Sequence, residues 1–330
     1  MKKLILAVLP FLLVGCSSGE NPSTEPSSKD TSSTSEPENE FGDLIIKDIP
    51  FLYYEMGKQK LDITFTKPEF AEEIKYTYQS ALFKIEDDYI VPLKSGMTTA
   101  FVTAETSHHL VRFKVNMPGI ASTDRYDRAV SYATEIKSSI DNETTVFTGD
   151  SFFDVVHFWK NFYTEVTGNR YICGISSSTI VEWGLYASLI FKEVSPKYVV
   201  FHIGSNDFWD SKREISVVKD SFVYFMNYLH ELLPNTKIII CSVENRSYKM
   251  PQFAGMDDTI EVLKEYDATV REYVNNNSCM GYIDSISHFC NADWTVKTEL
   301  TKDGVHPANS EYNFFVTETK KFGANIDLIS

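Results

Sequence analysis

Thr-Thr-Val-Phe-Thr-Gly-Asp-Ser occupies residues 144–151 and runs directly into Phe152–Val156. A β-branched, apolar run stops at a glycine, and a small polar pair then opens what reads as a helix. Ser151 therefore stands where a strand turns sharply into a helix N-terminus, at the carboxyl edge of a sheet. Free backbone N–H groups gather at such a turn. A nucleophile suits the place, because the oxyanion created by its attack needs fixed donors nearby. Asp and Ser are also ordinary N-cap residues, so the tripeptide by itself decides nothing.

Around this stretch, from Tyr126 to the end, helical periodicity alternates with short apolar runs. The pattern predicts helices over Arg125–Ile140, Phe152–Val166, Thr179–Glu193, Glu214–Leu233, Asp257–Asn275 and Asn309–Phe322. Strands are expected at Thr144–Thr148, Arg170–Cys173, Lys197–Ile203, Thr236–Val243 and Met280–Asp284. Continuous apolar strands separated by helices imply a parallel sheet covered on both faces, a three-layer α/β/α arrangement of flavodoxin-like type. Sites in such folds lie at the carboxyl ends of the strands.

Three further polar signals fall there. Cys173-Gly174-Ile175-Ser176-Ser177-Ser178 follows a strand, and its glycine lets a backbone N–H approach a substrate. Gly204-Ser205-Asn206-Asp207 follows the next, offering an asparagine amide as a neutral donor. Asp303-Gly304-Val305-His306-Pro307 precedes the last helix, where the carboxylate can fix the imidazole tautomer while the other ring nitrogen faces a serine. Each has a bland reading as a turn. Their order and their placement after successive strands outweigh it.

In that combination the chain resembles the SGNH, or GDSL, hydrolases over most of Thr144–Glu318. Carried across position by position, the resemblance implies Ser151 as nucleophile, His306 as general base and Asp303 as its orienting partner. It implies an oxyanion hole made of the backbone N–H groups of Ser151 and Gly174 and the side-chain amide of Asn206. Family members often carry Asn or Arg before the second-block glycine, where this chain has Cys173. Asp150 is expected to support the elbow turn, and Asp150, Asp207 and Arg246 are candidate substrate contacts. Arg246 enters through Glu244-Asn245-Arg246-Ser247, which follows a strand and competes with reading as a solvated loop. Trp209 and Trp294 could stack on sugar rings or simply pack an edge. His157, His202, His230 and His288 match no role and read as core or surface residues.

The implied reaction is ester hydrolysis through an acyl-serine, with neither metal nor organic cofactor. An imidazole base must be neutral to act, so activity is expected to fall on acidification. A lipase, thioesterase or acyltransferase would use the same triad with another pocket. A silent, surface-binding lipoprotein is the non-enzymatic alternative, and the intact Ser151, Asp303 and His306 speak against it.

Gly42–Pro118 has a different rhythm. Short runs alternate apolar and polar residues between turn signals, as in Thr99–Ala104 and Leu110–Val115, which predicts antiparallel strands in a small sandwich. The order of features resembles a bacterial immunoglobulin-like domain of group 2. His108-His109 falls in an expected hairpin turn, where a solvated pair outweighs a metal site. Two folded units are expected, at 42–118 and 121–330.

Lys2 and Lys3 followed by apolar Leu4–Val14 form a targeting segment too short to span a bilayer. Leu13-Val14-Gly15-Cys16 resembles the lipobox of bacterial lipoproteins, which implies diacylglycerol on Cys16, removal of the preceding residues and anchoring on the outer face of a membrane. Residues 17–41 are almost entirely Ser, Thr, Pro, Glu, Asp and Asn, a composition that predicts a disordered tether. The net charge of −15 excludes nucleic acid as a natural partner. With an exported chain, an O-acetylated carbohydrate of the envelope or surroundings is the expected substrate; a partner of the immunoglobulin-like unit is not identified. Of the remaining cysteines, Cys173 and Cys241 read as buried thiols, and Cys279 and Cys290 as a possible bridge.

Overall fold

Our computed structural model describes residues 39–156, 165–209, 213–247 and 259–329. Cys16 and most of the expected tether lie outside the described residues, as does His157. The alternating runs form eight short strands: β1 (Leu44–Ile46), β2 (Gln59–Lys60), β3 (Ile63–Phe65), β4 (Lys75–Tyr78), β5 (Phe83–Glu86), β6 (Tyr89–Pro92), β7 (Thr98–Glu105) and β8 (Leu110–Met117). Their pairing is antiparallel, in three small sheets ordered β1-β3, β2-β6-β5 and β4-β7-β8. Successive side chains of a strand point to opposite faces. On β7, Ala100, Val102 and Ala104 are accordingly buried while Phe101 between them is exposed. They meet Phe113, Val115 and Met117 of β8 in one core with Phe83 and Ile90.

The chain then enters α1 (Thr123–Ser139), opened by the Ser122 side chain accepting the Arg125 N–H at 3.4 Å. β9 (Thr145–Gly149) leads to a 3-10 turn at Ser151–Phe153, and β10 (Val166–Gly168), β11 (Arg170–Ile172) and α2 (Ile180–Phe191) follow. β12 (Tyr198–His202), the short α3 (Ser205–Trp209) and α4 (Ile215–Leu232) come next, then β13 (Lys237–Cys241) and α5 (Ile260–Asn275). β14 (Met280–Ile283), α6 (Ser285–Phe289), α7 (Tyr312–Lys320) and β15 (Ile326–Leu328) complete the fold.

Five of these strands form one parallel sheet, ordered β11-β9-β12-β13-β14. Both its faces are covered, which is why its strands are continuously apolar. Val146, Val199, Phe201, Ile238 and Ile240 face one layer, built on Trp183 of α2, Phe222 and Phe225 of α4 and Val270 of α5. Their neighbours Phe147, Val200, Ile239 and Ile283 face the other, with Phe315 and Val316 of α7 and Ile326 of β15. The strand order reverses direction at β9, and sites of parallel α/β sheets lie at the carboxyl ends of the strands beside such a reversal.

One expectation changes. Most of the helix expected over Phe152–Val166 falls on 157–164, outside the described residues, while its first residues form the 3-10 turn and Val166 opens β10. That strand pairs antiparallel with β15, Val166 opposite Leu328, a pairing between segments too short for periodicity to reveal.

Phe41–Ser330 forms one compact unit. Phe51, Tyr53 and Met56, between β1 and β2, belong to the same core cluster as the helices of the parallel sheet. Phe51 is fully buried, edge-on to Tyr224 at 5.0 Å, and lies against α2 at Gly184. A Cβ at 184 would stand 2.3 Å from the Phe51 ring. Glycine inside a helix costs about 1 kcal/mol relative to alanine, and the ring seated on it returns about 2 kcal/mol or more.

Candidate active site

Gly149 ends β9 at φ +116, a conformation that excludes other residues, and a Cβ there would lie 1.9 Å from the His202 carbonyl oxygen. The chain passes this close because β9 and β12 pair in register, Gly149 opposite His202, and the Asp150 N–H donates to the same carbonyl at 2.9 Å. Asp150 caps the turn, its Oδ1 accepting the Phe152 N–H at 3.1 Å. Ser151 is thus presented at the edge of the sheet, above the point where the strand order reverses.

Ser151 Oγ lies 2.8 Å from His306 Nε2. His306 Nδ1 lies 2.8 Å from Asp303 Oδ2, and the other carboxylate oxygen accepts the backbone N–H groups of Val305 at 3.1 Å and His306 at 2.9 Å. A carboxylate only accepts, so Nδ1 carries a proton and Nε2 is left to accept from the serine. Burial raises the Asp303 carboxyl pKa, but the bonds and charge of His306 and the two backbone donors outweigh it and hold it at about 2. The loop is braced by the segment after β13, where the Ser247 N–H donates to the Gly304 carbonyl at 2.7 Å. The structure therefore brings Ser151, His306 and Asp303 together in one hydrogen-bonded line, in that order.

The expected oxyanion donors are placed less uniformly. No acceptor among the described residues takes the Ser151 N–H. The Gly174 N–H is not free: it donates to the Phe153 carbonyl at 3.0 Å. In the same loop the N–H of Ile175 goes to the Gly149 carbonyl, that of Ser176 to Asp154 Oδ2 and that of Ser178 to the Ile175 carbonyl. Among 174–178 the N–H left without an acceptor is that of Ser177, whose φ is +60. The signal was present in the sequence as a run of three serines, but nothing in the residue types separates the one that turns. Asn206 spends one amide hydrogen on the Ser178 carbonyl at 2.9 Å, which fixes its side chain beside this loop and leaves the second hydrogen to give. Asp154 ties the loop down, accepting from Ser176 Oγ and from Arg128 of α1 at 2.6 Å.

Asp150 and Asp207 are not placed to touch a substrate. Both are fully buried. Asp150 accepts from Phe152 and from Ser205 Oγ at 2.8 Å and faces His202 Nδ1 at 2.8 Å. Asp207 accepts the Ile180 N–H at 3.0 Å, capping α2, and pairs with Arg213 at 2.7 Å. Burial pushes its pKa up to about 7 against the pull of Arg213. Arg246 is also buried, on the segment that braces the His306 loop. The side chain of Trp209 lies outside the described residues, and Trp294 packs partly buried against the core.

His230 lies 3.6 Å from the Cys279 sulfur, and His288 stacks on Phe314 while pairing with Glu311 at 3.0 Å. His108 pairs with Glu72 at 2.8 Å and His109 reaches the Gly42 carbonyl at 3.1 Å, both within the β7–β8 turn. Cys173, Cys241, Cys279 and Cys290 are all free thiols, so the Cys279–Cys290 bridge does not form. No group of three or more His, Cys, Asp or Glu residues that could hold a metal occurs among the described residues.

Sheet order, elbow and helix layers together define the α/β fold of SGNH type, preceded by an antiparallel region. No family model matches the sequence, and no curated protein matches it. Solved structures do. A candidate platelet activating factor from Streptococcus pneumoniae superposes with a TM-score of 0.50 at 16% identity, covering 60% of this chain and 92% of its own. A GDSL-like lipase from Bacteroides thetaiotaomicron has a TM-score of 0.47 at 20% identity, covering 59% and 96%. An acetyl xylan esterase from Geobacillus stearothermophilus has 0.42 at 18%, covering 56% and 96%.

Proposed function

We propose that this protein is a serine esterase that hydrolyses acyl esters through an acyl-serine, with O-acetyl groups of extracellular or envelope carbohydrate as its substrate class. The observation that carries the reading is the continuous relay from Ser151 Oγ through His306 to Asp303, with both contacts at 2.8 Å. Ser151 Oγ attacks the acyl carbon while His306 Nε2 takes its proton. The imidazolium is stabilised by Asp303, and it returns that proton to the departing alcohol oxygen as the ester C–O bond breaks. Water then enters, gives a proton to His306, attacks the acyl carbon and releases the acid, and the proton returns to Ser151.

The developing oxyanion is held by the Ser151 and Ser177 N–H groups and the second amide hydrogen of Asn206. Donors fixed before the reaction need no reorganisation during it. The carbohydrate assignment is supported by the resemblance of Leu13–Cys16 to a lipobox and by the polar tract after it, which favour an exported, tethered enzyme. We take residues 42–118 as an immunoglobulin-like domain of that surface protein.

The test is acetate release by residues 41–330 from p-nitrophenyl acetate and from acetylated polysaccharides, beside Ser151→Ala. Serine-dependent release from a polysaccharide is expected. Activity on the small ester alone would keep the mechanism and overturn the carbohydrate assignment. Equal rates with and without Ser151 would leave a binding protein. For the anchor, metabolic labelling with a fatty acid is expected to mark the full chain and not Cys16→Ala.

A further inference from the structure

His202 is fully buried at the end of β12, and each of its ring nitrogens faces an acid: Nδ1 lies 2.8 Å from Asp150 Oδ1 and Nε2 lies 3.0 Å from Glu244 Oε2. We propose that His202 is a positioning residue of the esterase, an imidazolium clamped between the carboxylates of Asp150 and Glu244 that holds the elbow and so keeps Ser151 against His306. The proposal rests on the serine esterase reading above.

Ionised carboxylates can only accept, so a ring between two of them must donate from both nitrogens, and only the imidazolium does that. Asp150 has the bonding of a carboxylate, since its oxygens also accept from the Phe152 N–H and from Ser205 Oγ. Glu244 has one oxygen, Oε1, buried with no hydrogen-bond partner among the described residues, and its other oxygen faces the ring. The ring also lies flat on Phe152, with centroids 3.8 Å apart and an interplanar angle of 10°. A cation over an aromatic face is attracted to it, more so when both are shielded from water.

Three contacts thus converge from His202 on the residues flanking the nucleophile. Its carbonyl takes the Asp150 N–H, its ring nitrogen holds the Asp150 carboxylate, and its ring face carries Phe152. Phe152 stands in turn 5.7 Å from the His306 ring. Glu244 extends the clamp to the other half of the relay. It belongs to the segment after β13 whose Ser247 braces Gly304, between Asp303 and His306. One buried cation therefore ties the strand that carries the nucleophile to the loop that carries the base.

The charges of Asp150 and Glu244 are also felt by Cys241, Cys290, Tyr266, Tyr312 and Asp207; Arg246 is buried two residues beyond Glu244, and His306 lies across the Phe152 ring. Burial alone pushes an imidazole pKa down; the charges and bonds of Asp150 and Glu244 outweigh it and hold that of His202 up at about 10. Loss of the proton would leave two buried carboxylates facing a ring with one donor. One contact would open, and the elbow would lose its anchor.

The test uses the full chain. Nitrogen-15 histidine spectra at a pH of about 8, where a free imidazole is neutral, are expected to show His202 protonated on both nitrogens in the wild type and in Ser151→Ala alike. A neutral ring would overturn the proposal, and this readout stands whether or not the chain hydrolyses esters. On p-nitrophenyl acetate, His202→Gln is expected to lower kcat about a hundredfold with KM unchanged, the cost of a small misplacement of reacting groups. Glu244→Gln keeps an acceptor for Nε2 but removes a charge, so it guards against a variant that fails to fold. It is expected to move the alkaline fall of kcat to lower pH, whereas an unmoved alkaline limb, or a folded His202→Gln with wild-type kcat, would refute the clamp. Equal activity of Ser151→Ala and wild type would instead reject the esterase reading and leave the spectra to decide the state of His202.

Discussion

At Ser151 the relevant energy is the orientation of one proton. Removing the hydroxyl with Ser151→Ala should abolish serine-dependent turnover, and Asp303→Asn should lower kcat about 10⁴-fold by permitting the wrong His306 tautomer while leaving the fold intact. Steady-state kinetics with circular dichroism separates the two effects. The Asp303 carboxyl, held at about 2 against about 3.9 in an unfolded chain, contributes stability that is fully present above pH about 4 and lost as pH falls through about 2. Acid unfolding should therefore be steeper over that window in the wild type than in Asp303→Asn. The loop at 174–178 gives the complementary case. Ser177→Gly suits the positive φ and should keep activity, whereas Asp154→Asn loosens the tie to Ser176 and Arg128 and should lower kcat without raising KM. Ser151 and Asn206 were marked in the sequence by turn signals after strands, and Asp303 and His306 by their spacing on one loop ahead of the last helix. Ser177 was not, since its role depends on which of several neighbouring N–H groups the fold leaves unspent. His202 was hidden for a related reason: as the last residue of an apolar strand it reads as core, and its acids lie 52 and 42 residues away in sequence.

At the level of elements, register decides the site. β9 and β12 meet with Gly149 opposite His202, so the elbow is as much a property of the neighbouring strand as of its own sequence. Gly149→Ala would drive a methyl group into the His202 carbonyl, separating β9 from β12 beside Ser151. Reduced kcat together with a lower melting temperature is the expected outcome, measured by kinetics and thermal unfolding. The parallel strands were readable from continuous apolar runs because both faces are covered, and the helices from their stripes. β10 and β15 were not, being three-residue strands that find each other only after the chain has closed.

For the whole molecule, the antiparallel region and the parallel sheet share a core through Phe51. Calorimetry of residues 41–330 should accordingly give one cooperative transition, and two resolved transitions would contradict the shared core. Gly184→Ala should lower stability by about 1–3 kcal/mol, the usual cost of overpacking, because the added methyl group meets a ring that is itself fully enclosed. The seat of Phe51 on α2 also limits how such a protein can be shortened or exchanged in evolution. A chain cut after residue 120 would carry an open slot on α2 shaped for an aromatic ring it had lost, and a foreign surface module spliced there would need to supply that ring or leave the slot to self-association.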